Sequence, residues 1–304
     1  MRAYQPPETR TTSALIGAPQ TWSLANVPRR WYSQGMRTAA VAWTDDVDSR
    51  TNDYVRRWMR HFAALRATSV EAWVEALAPH VLPTQIRALS SAERDLLVED
   101  RWLELTGRPP REPGAFDALI LDCDRLIQWA QQRSPIGAAF VRLGFRAPTD
   151  SEVGLEADLQ VDGGPEALTV LQGSARVFDD LCLAQECGHE PALVVRPWLE
   201  IEPWQELRAF VRDRRLVGLS QRHAGLRLRG LIDRVDALES AAQRLCGALG
   251  PRWPLDDLIV DLVVEPEGLQ AQVVDLHPWL PWSDAGLFRW DEDRFETYAF
   301  RYVP

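Results

Sequence analysis

Two apolar segments near the C-terminus constrain this chain more than any other feature. Residues 258–265 (LIVDLVVE) and 269–276 (LQAQVVDL) flank the turn Pro266–Glu267–Gly268, and each carries one aspartate, Asp261 or Asp275, among core-type residues. Runs of this kind on either side of a short turn read as an antiparallel strand pair. A carboxylate inside such a strand costs several kcal/mol unless something compensates it. On adjacent strands both acids can project to one face, where they repel unless a cation lies between them. Magnesium suits that position, with hard oxygen ligands and nucleotide phosphate completing its shell. Pairing each acid with a nearby arginine meets the same requirement, and the residues alone leave the two solutions level.

Arginines show the complementary pattern. Arg142, Arg196 and Arg208 are set into AAFVRLG, LVVRPWL and ELRAFV. A lone strand arginine ordinarily carries its head out to solvent. Three of them, together with two strand aspartates, point instead to one shared polar cleft. Arginine, acid and metal facing each other describe a nucleoside triphosphate site. The sequence holds no Walker motif, Rossmann glycine fingerprint, kinase signature or nucleophile elbow, which excludes the common nucleotide folds. All 34 basic residues are arginine, so a Schiff-base or P-loop lysine is excluded and guanidinium groups must meet any phosphate.

A net charge of −10 repels phosphate backbones and anionic lipid, so neither duplex nucleic acid nor a membrane is expected as a partner. No apolar window is long enough to span a bilayer, and MRAYQPPETRTTS lacks the apolar core of a secretory signal; a cytoplasmic location is expected. Cys123, Cys182, Cys187 and Cys246 are expected as reduced thiols. The group Cys182, Cys187 and His189 (CLAQECGH) has no zinc spacing and reads as a buried helix face ending at Gly188. His61 and His80, like His189, read as surface or packed side chains.

Helical periodicity dominates the first half, over 52–67, 69–79, 91–105 and 116–131, with Ser90 and Ser91 before Glu93 as a capped start. The loop TGRPPREPG (106–114) is the best internal boundary there. Strand-like segments dominate the second half, at 192–201, 206–212 and 216–221, followed by a helix over 231–249 and then the aspartate hairpin. That order is an α+β pattern. The expected division is a partly ordered arm over 1–35 with Trp22, Trp31 and Tyr32, an N-terminal lobe over 36–190, and a C-terminal lobe over 191–304.

Three stretches, 140–151 (FVRLGFRAPTDS), 193–222 (LVVRPWLEIEPWQELRAFVRDRRLVGLSQR) and 258–292 (LIVDLVVEPEGLQAQVVDLHPWLPWSDAGLFRWDE), resemble the cell division cycle protein 123 family in order, spacing and turns. The resemblance covers roughly 116–292, and ALSSAERDLL (88–97) is similar to the family's early region. It implies an ATP-grasp-like fold, two α+β lobes with ATP and magnesium in a cleft between them and a divergent helix-rich N-terminal region. It implies that Arg142 faces the phosphates and that Arg196, Pro197 and Trp198 lie on the connecting strand along adenine. Glu206 and Arg208 match the acid-x-arginine pair of the next strand, and Ser220, Gln221 and Arg222 the strand after it. Asp261 and Asp275 match the two magnesium-binding aspartates. Arg146 joins the nucleotide-binding arginines, while Arg142 and Arg208 would neutralise a transferred phosphoryl group in any catalysis.

Two positions depart from the pattern. The family reads Asp-Phe-Asn-Pro where this chain has Asp275–Leu276–His277–Pro278, and imidazole is a softer ligand than an amide oxygen. As a metal ligand His277 would suit manganese; it could instead contact phosphate or mark lost turnover. His223 stands where the family carries an acid. The eukaryotic members assemble translation initiation factor two, so one class implied is an ATP-dependent protein-binding or assembly factor. A carboxylate–amine ligase working through an acyl phosphate is the alternative, and a nucleotide-dead scaffold the third. The composition is of a GC-rich, bacterial kind, and bacteria lack that trimeric factor, so the partner's identity does not carry over. A wet cavity lined by Arg146, Arg222, Arg227 and Arg229 would mark a small carboxylate substrate; an exposed tryptophan-rich patch would mark a protein partner.

Overall fold

The computed structural model describes residues 57–106 and 113–304, with the backbone alone at 99–106 and 113–115. The arm expected over 1–35 lies outside the described residues, as do residues 107–112 of the loop expected over 106–114, whose ends at Thr106 and at Pro113 and Gly114 are helical. A helical turn at 57–60 leads into α1 (Phe62–Ala67) and α2 (Val70–Trp73). Next come β1 (Gln85–Ala88), α3 (Ser91–Thr106), α4 (Pro113–Gln131) and β2 (Ala139–Leu143). The Ser90–Glu93 start of α3 forms as expected: the Glu93 amide donates to Ser90 Oγ at 3.3 Å, and the Ser90 amide to Glu93 Oε2 at 2.9 Å. Three short elements follow, α5 (Glu152–Glu156), β3 (Gln160–Val161) and α6 (Gly164–Gln172), before α7 (Ala175–Glu186) and β4 (Ala192–Pro197).

These four strands make an antiparallel sheet in the order β1-β4-β2-β3. Alternation gives it two different faces. Ala139, Val141, Leu143, Leu193 and Val195 pack on α3, α4, α6 and α7 around Leu97, Leu119, Ile127, Leu168 and Leu181. Arg142, Val194 and Arg196 belong to the opposite face. The division expected at 190/191 falls between α7 and β4, and β4 hydrogen-bonds in this first sheet, so the chain changes sheets after Pro197.

The second sheet contains β5 (Glu206–Arg212), β6 (Arg215–Gln221), β7 (Leu258–Val264), β8 (Ala271–Pro278) and β9 (Ala299–Arg301), in the order β8-β7-β5-β6-β9. Asp213 and Arg214 both take positive φ, which closes β5 and β6 as a tight hairpin. The helix expected over 231–249 is two helices, α8 (Arg229–Ile232) and α9 (Val235–Leu249). They break at Arg234, whose guanidinium lies 4.7 Å from the Trp204 ring centroid. Leu238, Ala241, Ala242, Leu245 and Leu249 of α9 cover the face of Leu207, Ala209, Val211, Leu258, Val260 and Leu262.

The two lobes meet along β8. The Val273 amide donates to the His80 carbonyl at 2.8 Å, and Val194 of the first sheet enters the second core. Helices α1 and α2 span the junction: Leu65 packs with Phe145 and Leu183, while Val70, Trp73 and Leu77 pack in the second core. The architecture is α+β, two lobes each built on one sheet, with a helix-rich N-terminal part. No helix among the described residues is long and apolar enough to cross a membrane, and no disulfide joins Cys123, Cys182, Cys187 and Cys246.

Candidate functional site

Backbone register assembles the site. Asp275 of β8 stands opposite Asp261 of β7, Asp261 opposite Arg208 of β5, and Arg208 opposite Ser220 of β6. One polar row therefore crosses four strands on the face turned away from α9. Val274 is the extra residue of a bulge on β8, so Val273 lies opposite Leu262 and joins it in the core although it is two residues from Asp275.

Each charge in the row has a partner. Arg208, 2% exposed, grips Asp261 bidentately, Nε to Oδ1 at 2.7 Å and Nη2 to Oδ2 at 2.8 Å. His277 Nε2 lies 2.9 Å from Asp261 Oδ2, and Arg222 Nε 3.5 Å from the same oxygen. Arg142 reaches across from the first sheet and donates Nη1 to Asp275 Oδ2 at 2.6 Å. Its remaining donors point at carbonyls: Nε at Leu143 (2.9 Å), Nη2 at Phe145 (3.1 Å) and Gly144 (3.4 Å). Burial opposes ionisation of Asp261, yet Arg208 and His277 hold its carboxyl well below the usual carboxylate range. For Arg208 burial also works against the charge, but the Asp261 carboxylate outweighs it and raises the pKa.

Other residues expected at the site take different places. Arg196 bolts the lobes together, Nη1 to the Val274 carbonyl at 2.7 Å and Nε to Thr84 Oγ1 at 3.1 Å. Burial and the neighbouring Arg142 lower its pKa to about 10, partly offset by Asp275. Pro197 closes β4, and the Trp198 amide donates to the Ala138 carbonyl, with its ring 6.4 Å from Phe140. Glu206 pairs with His223 at the start of β5. Arg146 does not join the row: it pairs with the buried Asp180 of α7 at 2.7 Å. Arg227 donates to the Pro304 carbonyl and Arg229 opens α8, so of the four arginines expected to line a cavity only Arg222 reaches the row. His189 meets Glu71 at 3.2 Å and stacks on Phe145, and His61 packs on Trp282, as structural histidines.

One residue was missed. Asp284 lies on the segment that follows β8 and contacts both Arg208 and Arg222. Its only local signal is the turn-like SDAG sequence, because it sits in no strand.

Among the described residues no group of three or more His, Cys, Asp and Glu could hold a metal ion by itself. Asp261 and Asp275 nonetheless fit a hard cation that completes its shell with phosphate, which is how magnesium is ordinarily bound. Asp261 Oδ1 and each Asp275 oxygen accept one described hydrogen bond, leaving a lone pair on each. His277 does not fit that role, because its Nε2 faces the Asp261 carboxylate and imidazole is soft.

Residues 127–302 match the family model described as D123. A translation initiation factor eIF2 assembly protein of Botryotinia fuckeliana is 26% identical over 227 residues, covering 70% of this chain and 54% of that one. Its counterpart in Sclerotinia sclerotiorum is 27% identical over 169 residues, covering 51% and 41%. The chain thus spans about half the length of these curated relatives. The structure of Cdc123 from Schizosaccharomyces pombe superposes with a TM-score of 0.63 at 18% identity, over 79% of this chain and 96% of that one, a likeness of fold.

Proposed function

The chain belongs to the D123 family, and from that premise we propose that it is an ATP-dependent protein-binding or assembly factor, with ATP and magnesium held between its lobes. One observation carries the reading. Arg142 from the first sheet converges on the Asp275–Asp261–Arg208 row of the second, so both lobes supply charge to one locus. In this reading Asp261 and Asp275 hold the metal, Arg142, Arg208 and Arg222 face the phosphates, and the chain around Arg196, Pro197 and Trp198 lies along the base. Asp261 and Asp275 would hold magnesium, which would offset the negative charge of the acids and of a bound polyphosphate. A protein client follows from the relatives, whose names describe assembly proteins for eIF2, and the cytoplasm is where such a client would be met. The ligase alternative loses support because two of the arginines expected to line its substrate cavity are engaged elsewhere, Arg146 by Asp180 and Arg227 by the Pro304 carbonyl.

Calorimetry with ATP, ADP and adenosine, with and without magnesium, tests the reading. Uptake of one ATP per chain, tightened by magnesium and weakened when Asp275→Asn removes a negative charge, is expected. Absence of uptake of any purine mononucleotide would overturn it. Capture of a protein client that requires ATP but no turnover separates assembly from ligation; release of ADP that depends on a small carboxylate would favour the ligase.

A further inference from the structure

The segment after β8 places a carboxylate where an anion receptor has been built. Arg208 Nη1 donates to the Asp284 carbonyl at 2.7 Å and lies 2.7 Å from its Oδ2, and Arg222 Nη1 donates to the same Oδ2 at 2.9 Å. The other oxygen, Oδ1, accepts the Gly286 amide at 2.9 Å. Two guanidinium groups and a backbone N–H thus close on one carboxylate, a donor set that suits phosphoryl oxygens equally well. The receptor is unevenly buried. The Arg208 side chain is 2% exposed, Arg222 37% and Asp284 55%, so the inner guanidinium is fixed while the anion beside it has an open side through which to leave. Behind it the segment is pinned: Gly286 sits at φ +58°, with Ser220 Oγ 2.7 Å from where a Cβ would lie, and the Leu287 amide donates to that hydroxyl at 3.0 Å. Such anchoring lets the Asp284 side chain swing while its backbone stays.

We infer that Asp284 is a built-in counter-anion, occupying the subsite that takes a terminal phosphoryl group of a polyphosphate ligand and giving way when that ligand binds. The inference rests on the triphosphate reading above and deepens it by assigning Arg208, Arg222 and the Gly286 amide to one phosphoryl group. Any ligand that displaces Asp284 does so against its own attraction to the same arginines. Removing the charge therefore enlarges the binding-competent fraction and tightens binding, by about tenfold if the open form is a tenth of the population.

The test is calorimetry with ATP and inorganic tripolyphosphate on the full chain and on Asp284→Asn, Asp284→Ala and Asp284→Glu. Asparagine keeps an acceptor for the Gly286 amide, so the turn survives. Both neutral variants are expected to bind either ligand about tenfold tighter, while Asp284→Glu and the affinity for adenosine stay at the parental level. A parent that binds ATP, with neutral variants that bind it no tighter, overturns the counter-anion alone. Absence of binding of both polyphosphates by the parent and by both neutral variants overturns it together with the nucleotide reading. Neutral variants that lose cooperative melting would make Asp284 a structural brace, which also overturns it.

Discussion

Arg142 and Asp275 come from different sheets and meet at 2.6 Å, both almost fully buried. Together with the Arg196 contact to the Val274 carbonyl, that ion pair ties the first sheet's inner strands β2 and β4 to β8. Three carbonyls, of Leu143, Gly144 and Phe145, hold the Arg142 guanidinium from behind, so its direction is set before any ligand arrives. Preorganised charge of this kind favours an anion without a reorganisation cost.

Replacing Arg142 by alanine strips Asp275 of its cation and leaves three inward carbonyls without that donor. A loss of about 3 kcal/mol in urea denaturation is expected, since one half of a buried pair is left behind. Triphosphate binding should fall much further than adenosine binding; equal losses would mean that Arg142 only shapes the cleft.

Asp261→Asn should be equally costly, about 3 kcal/mol, because Arg208 is buried and would keep its full charge beside a neutral amide. Asp256→Asn is the contrast: its pair with Arg214 is exposed, at 71% and 40%, and removing it should change stability by under about 0.5 kcal/mol. Similar losses in the two variants would contradict the buried geometry.

Gly144 lies directly beneath the Ser69 and Glu71 side chains, and an added Cβ would collide with both. Gly144→Ala is expected to cost about 1–3 kcal/mol through overpacking. It should also weaken triphosphate binding, because the displaced 143–145 backbone is what aims Arg142. Unchanged affinity in a folded variant would separate the packing role from the aiming role.

Cys123 and Cys246 are buried, and burial pushes both thiols up to about 12. Neither should react with a disulfide reagent at pH 8 until the chain unfolds. In the unfolded chain these thiols ionise near pH 9, below the folded values, so the unfolded state sheds protons first and their contribution to stability declines as pH rises above about 9. Thermal melts at pH 8, 9 and 10 check the sign; a melting temperature that rose over that range would refute it.

The strands and their acids were legible because the physics that reveals them is local. An aspartate inside an apolar β-branched run, as at Asp261 and Asp275, is anomalous in any fold, and a turn between two such runs fixes their pairing. Of the two compensations considered for the acids, the structure shows the arginine pairing: Asp275 has Arg142 and Asp261 has Arg208, while the two acids stand opposite each other in register. What stayed hidden depended on distance along the chain. Asp284 sits in a turn with no periodicity, so only the folded segment brings it to Arg208, 76 residues away. Arg146 looked like Arg142 in sequence, four residues earlier, and only packing sent it to Asp180 on α7.

The sequence alone determined the α+β class, the aspartate hairpin and the absence of lysine chemistry, since alternation, turn residues and composition act without reference to the rest of the chain. The tertiary structure decided which arginine answers which acid, placed β4 in the first sheet, and closed Asp284 over the row. Those choices depend on how two sheets meet, and side-chain partners across such a junction are set by packing that no local pattern encodes.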